Sequence, residues 1–75
     1  MEKIKFDRHA RRRMKWRDIS EEEITSALIN PDNKEDTING RYNVYKDISG
    51  RVIKVTYKET ADEIYVITTL VKSKK

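Results

Sequence analysis

Apolar residues recur along the chain with two different periods. Up to Pro31 they return every three or four residues, as Ala10 and Met14 do, which is typical of amphipathic helices. Beyond Pro31 they alternate with polar residues, as Val55 and Tyr57 do, which is typical of strands with one face buried. The pattern therefore predicts a helical first part followed by a sheet.

Capping residues indicate where the two helices begin and end. Asp7 can cap a first helix that runs to about Arg17. After a break, Ser20 and Glu23 form a capping box, in which each side chain accepts a hydrogen bond from the other residue's backbone N–H. Asn30-Pro31 ends this second helix, because the residue before a proline avoids the helical region.

The part after the second helix is predicted to form four strands, at residues 34–38, 41–48, 51–60 and 63–71. The turns are predicted at Asn39-Gly40, Ser49-Gly50 and Ala61-Asp62. The last strand is nearly all apolar or β-branched, as expected of a strand covered on both faces. Residues 4–6 are interpreted only as a short extended segment before the first helix. The expected fold is α+β, with two N-terminal helices packed on one face of a four-stranded antiparallel sheet.

Length and composition limit the size of the core. The chain has 75 residues, which we interpret as a single domain spanning residues 1–75. It is 36% hydrophobic and 40% charged. A domain of this size buries only about 60–65% of the surface of its unfolded chain, so dimerisation or a bound partner would add to its stability.

Several classes of protein are disfavoured by what the sequence lacks. With no cysteine and one histidine, it offers no disulfide, no thiolate zinc site and no expected metal or cofactor. It has no P-loop or dinucleotide-binding motif. No apolar run approaches the ~20 residues of a membrane span, and the N-terminus lacks the apolar core of a signal peptide. The chain reads as a complete small open reading frame, expected in the cytoplasm.

Positive charge is concentrated in the first helix. The chain carries 17 Lys and Arg against 13 Asp and Glu, a net charge of +4. Six of the cations, and no acid, lie between Arg8 and Arg17. This favours nucleic acid or an acidic protein as partner.

A helical wheel divides these cations into two groups. Arg13 and Arg17 fall in the same arc as Ala10 and Met14, with His9 and Trp16 at its edge, whereas the other cations face outward. A guanidinium on a packing face needs a partner, because an unpaired buried charge is costly. Two interpretations remain open. Either the two arginines pair with structural carboxylates, such as Asp18, Glu63 or the glutamate run, or they hold an anionic ligand such as phosphate.

His9 and Trp16 are ambiguous in the same way. Histidine is most often a surface or hydrogen-bonding residue, but it can also serve as a general acid or base. Tryptophan is most often a core or partner contact, but it can also stack on a nucleobase. On the predicted sheet, the candidates for a basic surface are Arg41, Arg51, Lys54, Tyr57 and Lys72.

Two groups of short motifs resemble a known family. The first group is His9-Ala10, Arg13-Met14, Arg17-x-Ile19-Ser20 and the Glu-rich helix that ends in Asn30-Pro31; the second is Gly50-Arg51, Val55-x-Tyr57 and Val66-Ile67-Thr68. This pattern resembles a small bacterial domain of unknown function, family 4258, over nearly the whole chain. The chain departs from the family at Asp18, where glycine is usual. The family in turn resembles, more distantly, the RelE/BrnT-like toxins of the barnase–colicin E5–RelE ribonucleases.

The resemblance implies a RelE-like fold and a metal-independent endoribonuclease of the mRNA interferase type. In that chemistry a ribose 2′-hydroxyl attacks the adjacent phosphate. Matching motif positions place catalysis at His9, Arg13 and Arg17, with Tyr57 and Thr68 as weaker candidates. A toxin would also imply a cognate antitoxin. RNA binding is assigned to Arg12, Trp16, Arg41, Arg51 and Lys54. The alternative is a non-catalytic nucleic-acid- or protein-binding module of the same fold.

Overall fold

The computed structural model describes residues 3–37 and 40–73, and residue 73 is described by its backbone alone. The elements in chain order are β1 (Lys3–Phe6), α1 (Arg8–Arg17), α2 (Glu21–Ile29), β2 (Asn33–Asp36), β3 (Arg41–Ile48), β4 (Arg51–Glu59) and β5 (Glu63–Ser73). The strands form one sheet in the order β1-β5-β4-β3-β2. On one face of this sheet, α1 packs on β5, and α2 packs on β3 and β4. The α+β arrangement of two helices on one sheet face follows the sequence pattern.

The predicted four-stranded antiparallel sheet is wrong, because the sheet has five strands and is mixed. The additional strand is β1, which pairs parallel to β5 with Ile4 opposite Ile64 and Phe6 opposite Val66. Ile4 and Phe6 pack against the core from this strand. Four alternating residues cannot by themselves distinguish a strand from an extended segment. The pairing that makes them a strand joins opposite ends of the chain, where no local signal exists.

Both predicted helices are confirmed together with their caps. The Asp7 carboxylate accepts the backbone N–H of His9 at 3.3 Å and so caps α1. Ser20 and Glu23 form both hydrogen bonds of the capping box on α2. Three glutamates in the first turn of α2 suit the positive end of the helix dipole.

The turn between the helices has a left-handed residue at its centre. Asp18 has φ 57° and ψ 50°, and the N–H of Ile19 donates to the carbonyl of Met14 at 2.8 Å. This is the Schellman geometry that ends many helices, and it favours glycine at the left-handed position. The structure thus gives a physical reason for the glycine that the family resemblance expects where this chain has Asp18.

We expect Asp18→Gly to raise the free energy of unfolding by about 0.5 kcal/mol. Glycine adopts a positive φ without the steric cost of a Cβ atom, and this gain exceeds the added entropy of its unfolded state. The matched variant Asp18→Ala removes the same carboxylate but keeps the Cβ atom, and should lower stability by about 0.5–1 kcal/mol. Urea unfolding of the three proteins measures the order. Equal stabilities of the Gly and Ala variants would contradict a backbone origin.

Each of the four predicted strands is present in the structure, as β2 to β5. β3 has the predicted limits, and β2 is a short, fully exposed strand at the sheet edge. Ser49 and Gly50 have φ values of 54° and 84°, as a two-residue hairpin turn requires. The predicted turn residue Asn39 and the last residue of the predicted strand 34–38, Ile38, lie outside the described residues. β5 differs from its prediction: α1 covers one of its faces, and no described element covers the other.

The core lies between the helices and one face of the sheet. Its fully buried members include Ala10, Ile24, Val44, Ile53 and Val55. Met14 is also buried, which confirms that the Ala10–Met14 side of α1 is the packing side. The opposite face of the sheet, called here the open face, carries Asn43, Tyr45, Lys54, Thr56, Tyr65, Thr68 and Leu70 among others. The described helices are not long and apolar enough to span a membrane.

Candidate functional site

His9, Arg13, Trp16 and Arg17 form a line along one flank of α1, called here the α1 flank. His9 and Arg17 are exposed, Arg13 is half-buried, and 72% of the surface of Trp16 is exposed. The guanidinium carbons of Arg13 and Arg17 lie 5.8 and 5.2 Å from the centre of the Trp16 ring. Trp16 therefore has two cations within 6 Å of the centre of its ring.

The neighbours of Arg11 show which way the α1 flank faces. Arg11 donates to the Glu21 carboxylate of α2 at 3.2 Å, so this side of α1 faces α2. Arg13 lies about 160° round the helix from Arg11, at ~100° per residue. Ala10 and Met14, between them, face the sheet. The α1 flank consequently lies on the side away from α2, above the outer half of the sheet where β5 runs.

Arg13 and Arg17 take part in none of the described ion pairs. They are Lys5–Glu63 at 2.9 Å, Arg11–Glu21 at 3.2 Å, Lys46–Asp32 at 3.9 Å and Arg51–Glu23 at 3.0 Å. Glu63, Glu21 and Glu23 thus pair with other cations, and Arg13 and Arg17 contact Trp16 instead. Asp18 and Glu22 take part in none of these ion pairs. Among the described residues, the arrangement matches the anionic-ligand interpretation of these arginines better than structural pairing.

Arg12 lies next to His9 at the start of the helix. With Asp7, Arg8 and His9 it lines a shallow depression of about 120 Å³. The His9 backbone N–H donates to the Asp7 carboxylate, and the His9 side chain is exposed. His9 and Arg12 are therefore accessible from the same region of the surface.

Arg51, an RNA-binding candidate, occupies a structural position. Its guanidinium donates to the carbonyl oxygens of Arg17 at 3.0 Å and Asp18 at 3.3 Å, and to the Glu23 carboxylate at 3.0 Å. These contacts tie the start of β4 to the turn between the helices. The donors of Arg51 are directed at this turn.

Tyr57 lies on the covered face of the sheet, away from the α1 flank. Only 4% of its surface is exposed, and its ring centre is 5.5 Å from that of Tyr42. Its hydroxyl lies beside the Lys34 ammonium, whose pKa it raises above the usual value. The structure thus places Tyr57 in the core, next to the exposed strand β2.

Thr68 and Lys54 lie on the open face, on the other side of the sheet from α1. Thr68 is opposite Thr56, whose hydroxyl donates to the Asn43 amide oxygen at 2.7 Å. The Lys54 ammonium lies 5.9 Å from the centre of the Tyr45 ring. Arg41 is exposed at the start of β3. Of the ten candidates, His9, Arg12, Arg13, Trp16 and Arg17 share the surface of α1, whereas Thr68 and Lys54 share the open face.

A cation–aromatic cluster on the open face joins Lys54, a predicted RNA-binding residue, to Tyr45 and Lys72, which the site prediction did not include. Tyr45 has the ammonium groups of both Lys54 and Lys72 within 6 Å of its ring, at 5.9 and 5.7 Å, and its hydroxyl donates to Glu35 at 2.9 Å. The two-residue turn at Ser49-Gly50 could have revealed part of it, because that turn fixes Tyr45 opposite Lys54.

Two carboxylates with hydrogen bonds in the folded state make stability depend on pH. The Tyr65 hydroxyl donates to Asp7 at 2.8 Å and lowers the pKa of Asp7 below its usual 3.8. The backbone N–H of Ser20, with Arg51, lowers the pKa of Glu23 below its usual 4.5. A depressed folded-state pKa contributes stability above the unfolded-state value, and this contribution is lost as pH falls through the folded-state value.

We therefore expect stability to fall as the pH drops below about 4.5, where the Glu23 of the unfolded chain begins to take up its proton. Urea unfolding between pH 3 and 7 measures this slope. Glu23→Gln should flatten the slope, whereas Glu22→Gln, in the same turn but exposed, should keep it. Equal slopes for the two variants would show that Glu23 is not responsible.

No cluster of three or more potential metal-binding side chains occurs within residues 3–37 and 40–73. The described site is instead a set of cations around a tryptophan, on the surface of a helix that packs on a mixed sheet.

These features define a small α+β domain with a basic, aromatic helix flank. The family model described as "Domain of unknown function (DUF4258)" matches residues 6–71, so the chain belongs to that family. No curated protein matches the chain significantly. No solved structure does so either.

Proposed function

We propose that this protein binds RNA along the α1 flank and cleaves it as a small RelE/BrnT-like endoribonuclease toxin. The observation that supports the proposal most is the pair of guanidiniums, Arg13 and Arg17, held at the surface by Trp16 without a described carboxylate partner. Arginine forks bind phosphate oxygens in pairs, and several cations along one helix give salt-dependent affinity for a phosphate backbone. The net charge of +4 agrees with this.

In this proposal the side chains of α1 supply the chemistry. Arg13 and Arg17 bind the scissile phosphate and stabilise the charge that develops on it when the ribose 2′-hydroxyl attacks. His9 is exposed on the same flank, one turn before Arg13 and two turns before Arg17. It takes the proton from that hydroxyl or gives one to the departing 5′-oxygen. Arg12 guides the neighbouring backbone. The products are a 2′,3′-cyclic phosphate and a 5′-hydroxyl. A cytoplasmic location and a cognate antitoxin belong to the same proposal.

A second candidate function is RNA binding without cleavage, and one observation favours it. Tyr57 is buried under the helices and Thr68 lies on the open face, so neither lies on the same surface as His9. His9 would then be the one acid–base group of the α1 flank. When both proton transfers of cleavage occur together, a single histidine provides only one of them. The other transfer would then have to come from water.

Cleavage and binding of a labelled single-stranded RNA, with and without ribosomes, test the two functions. For the enzyme we expect His9→Ala to reduce cleavage by about 10²–10⁴-fold while binding changes little. Arg13→Gln and Arg17→Gln should each weaken binding and reduce its dependence on salt by about one counterion. Lys15→Gln is the matched control, because Lys15 lies on the opposite flank of α1.

The outcomes separate the alternatives. Wild-type protein that binds RNA through Arg13 and Arg17 but never cleaves it, and does not slow growth on expression, would contradict the toxin and leave the binding module. Binding that is reduced equally by Lys15→Gln and Arg13→Gln would reflect net charge alone. Failure to bind RNA at any salt concentration would contradict both functions.

A further inference from the structure

β5 is paired on both sides along only part of its length. β1 pairs with Glu63–Val66, whereas the pairing with β4 continues to Ser73. From residue 67 to residue 73, therefore, no described strand lies on the side of β5 away from β4. We call residues 67–73 the free edge of β5.

The backbone of the free edge has outward-facing hydrogen-bonding groups. The Val66 carbonyl accepts from Asp7 N–H at 2.9 Å, so Val66 faces the β1 side. After the irregularity between Thr56 and Tyr57 the ladder continues with Thr68 opposite Thr56. In an antiparallel ladder, the backbone groups of successive residues point alternately toward and away from the neighbouring strand. Those of Thr68 therefore point toward β4, and the N–H and C=O groups of Thr69 and Val71 point away from it. Both residues present a donor and an acceptor to a further strand.

Between the ladder irregularity at Ile67 and the charge of Lys72, the free edge lacks the usual protection against strand pairing. Residues 67–71 are Ile, Thr, Thr, Leu and Val, and the first charge comes at Lys72. Natural edges usually carry charges, prolines or bulges that discourage another strand, and β2, at the other edge of this sheet, is charged and fully exposed. Thr69, in the middle of the free edge, also has a fully buried hydroxyl without a hydrogen-bond partner among the described residues.

The charge above the free edge indicates the chemistry of the missing strand. α1 packs on β5, and its flank away from α2 carries Arg13 and Arg17, which have no described carboxylate partner. A second copy paired antiparallel through the same edge would place the arginines of two α1 flanks against each other. Repulsion between these arginines disfavours such a dimer. A strand with carboxylates on its α1 side would satisfy the arginines.

We propose that an acidic, extended segment of a partner protein adds as a strand to the free edge of β5. Its backbone pairs with Thr69 and Val71, and its carboxylates lie against Arg13 and Arg17. This binding mode does not depend on the proposed RNA chemistry. It also makes the acidic segment a competitor of any anion bound by the same arginines.

The probe is a seven-residue peptide of alternating glutamate and valine, titrated into the ¹⁵N-labelled full chain and followed by NMR. We expect shifts at residues 67–73 and at α1, and slower hydrogen exchange of the Thr69 and Val71 amides. Arg13→Gln with Arg17→Gln should weaken binding at least tenfold, whereas Lys15→Gln should leave it within twofold. Circular dichroism of each variant checks that the fold is kept.

Two control peptides separate strand addition from simple charge attraction. The same peptide with its central valine replaced by proline keeps the charge but cannot complete the ladder, and should bind at least fivefold more weakly. A lysine–valine peptide should not bind. Equal binding of the proline peptide, unchanged exchange at Thr69 and Val71, or no binding at millimolar peptide would overturn the proposal. Protection of these amides by self-association would assign the edge to a second copy, and protection by an RNA oligonucleotide alone would assign it to nucleic acid.

Discussion

Replacing Arg51 by alanine is expected to lower the free energy of unfolding by about 2–3 kcal/mol. The guanidinium donates to two backbone carbonyls in the turn between the helices and to the Glu23 carboxylate, and a hydrogen bond that involves a charged group contributes about 1.5–3 kcal/mol. The expected loss is well below the sum of three such bonds, because Arg51 and Glu23 are partly exposed to solvent. A domain of this length has a total stability of only about 4–11 kcal/mol.

Urea unfolding at pH 7 measures the loss, and two variants serve as controls. Arg51→Lys keeps the charge but not the planar fork that serves three acceptors, so it should lose more than half of the stabilisation. Arg41→Ala removes an exposed arginine from the neighbouring strand and should change stability by less than about 0.5 kcal/mol. A loss for Arg51→Ala no larger than for Arg41→Ala would contradict the structural assignment of Arg51.

Arg51 also shows why residue type alone does not define a site. From the sequence, an arginine at the start of a strand next to other cations is a reasonable RNA contact. Its position instead follows from the hairpin at Ser49-Gly50, which starts β4 beneath the turn between the helices. The capping box that orients Glu23 was predictable, but the contact between the two was not. That contact depends on how α2 packs on the sheet.

The elements of this fold are largely encoded by local signals. Capping residues fixed both helices, and glycine-containing turns fixed β3 and β4. β1 is the exception, because a four-residue alternation is a strand only when Ile64 and Val66 lie beside it. The sequence also implied an antiparallel sheet, since a parallel neighbour arises only from a pairing between distant segments.

The helical wheel predicted the composition of the α1 flank but not its environment. It correctly grouped Arg13, Arg17 and Trp16 on adjoining positions, and it correctly put Ala10 and Met14 on the sheet. The packing arc it gave is too wide for Arg17, which is exposed, whereas Arg13 is half-buried. α1 lies on β5, where the sheet has a free edge, so the buried arc is narrow and both arginines keep access to the surface.

Replacing Thr69 by valine is expected to raise the free energy of unfolding by about 1–2 kcal/mol. The Thr69 side chain is completely buried, and its hydroxyl has no hydrogen-bond partner among the described residues. Burying an unpaired hydroxyl costs about 1–3 kcal/mol, and valine has nearly the same shape and an equal preference for strands. The position faces the helices, opposite Val55, so the added methyl group meets an apolar environment.

Thr69→Ser distinguishes the hydroxyl from the methyl group. It keeps the unpaired hydroxyl and removes apolar contacts, and should therefore lower stability by about 1 kcal/mol. Thr68→Val on the open face is the positional control, and should change stability by less than about 0.5 kcal/mol. If Thr69→Val were destabilising, the hydroxyl would have to be hydrogen-bonded in solution. If stability rose while binding of the acidic peptide stayed unchanged, Thr69 would serve the free edge through its backbone alone.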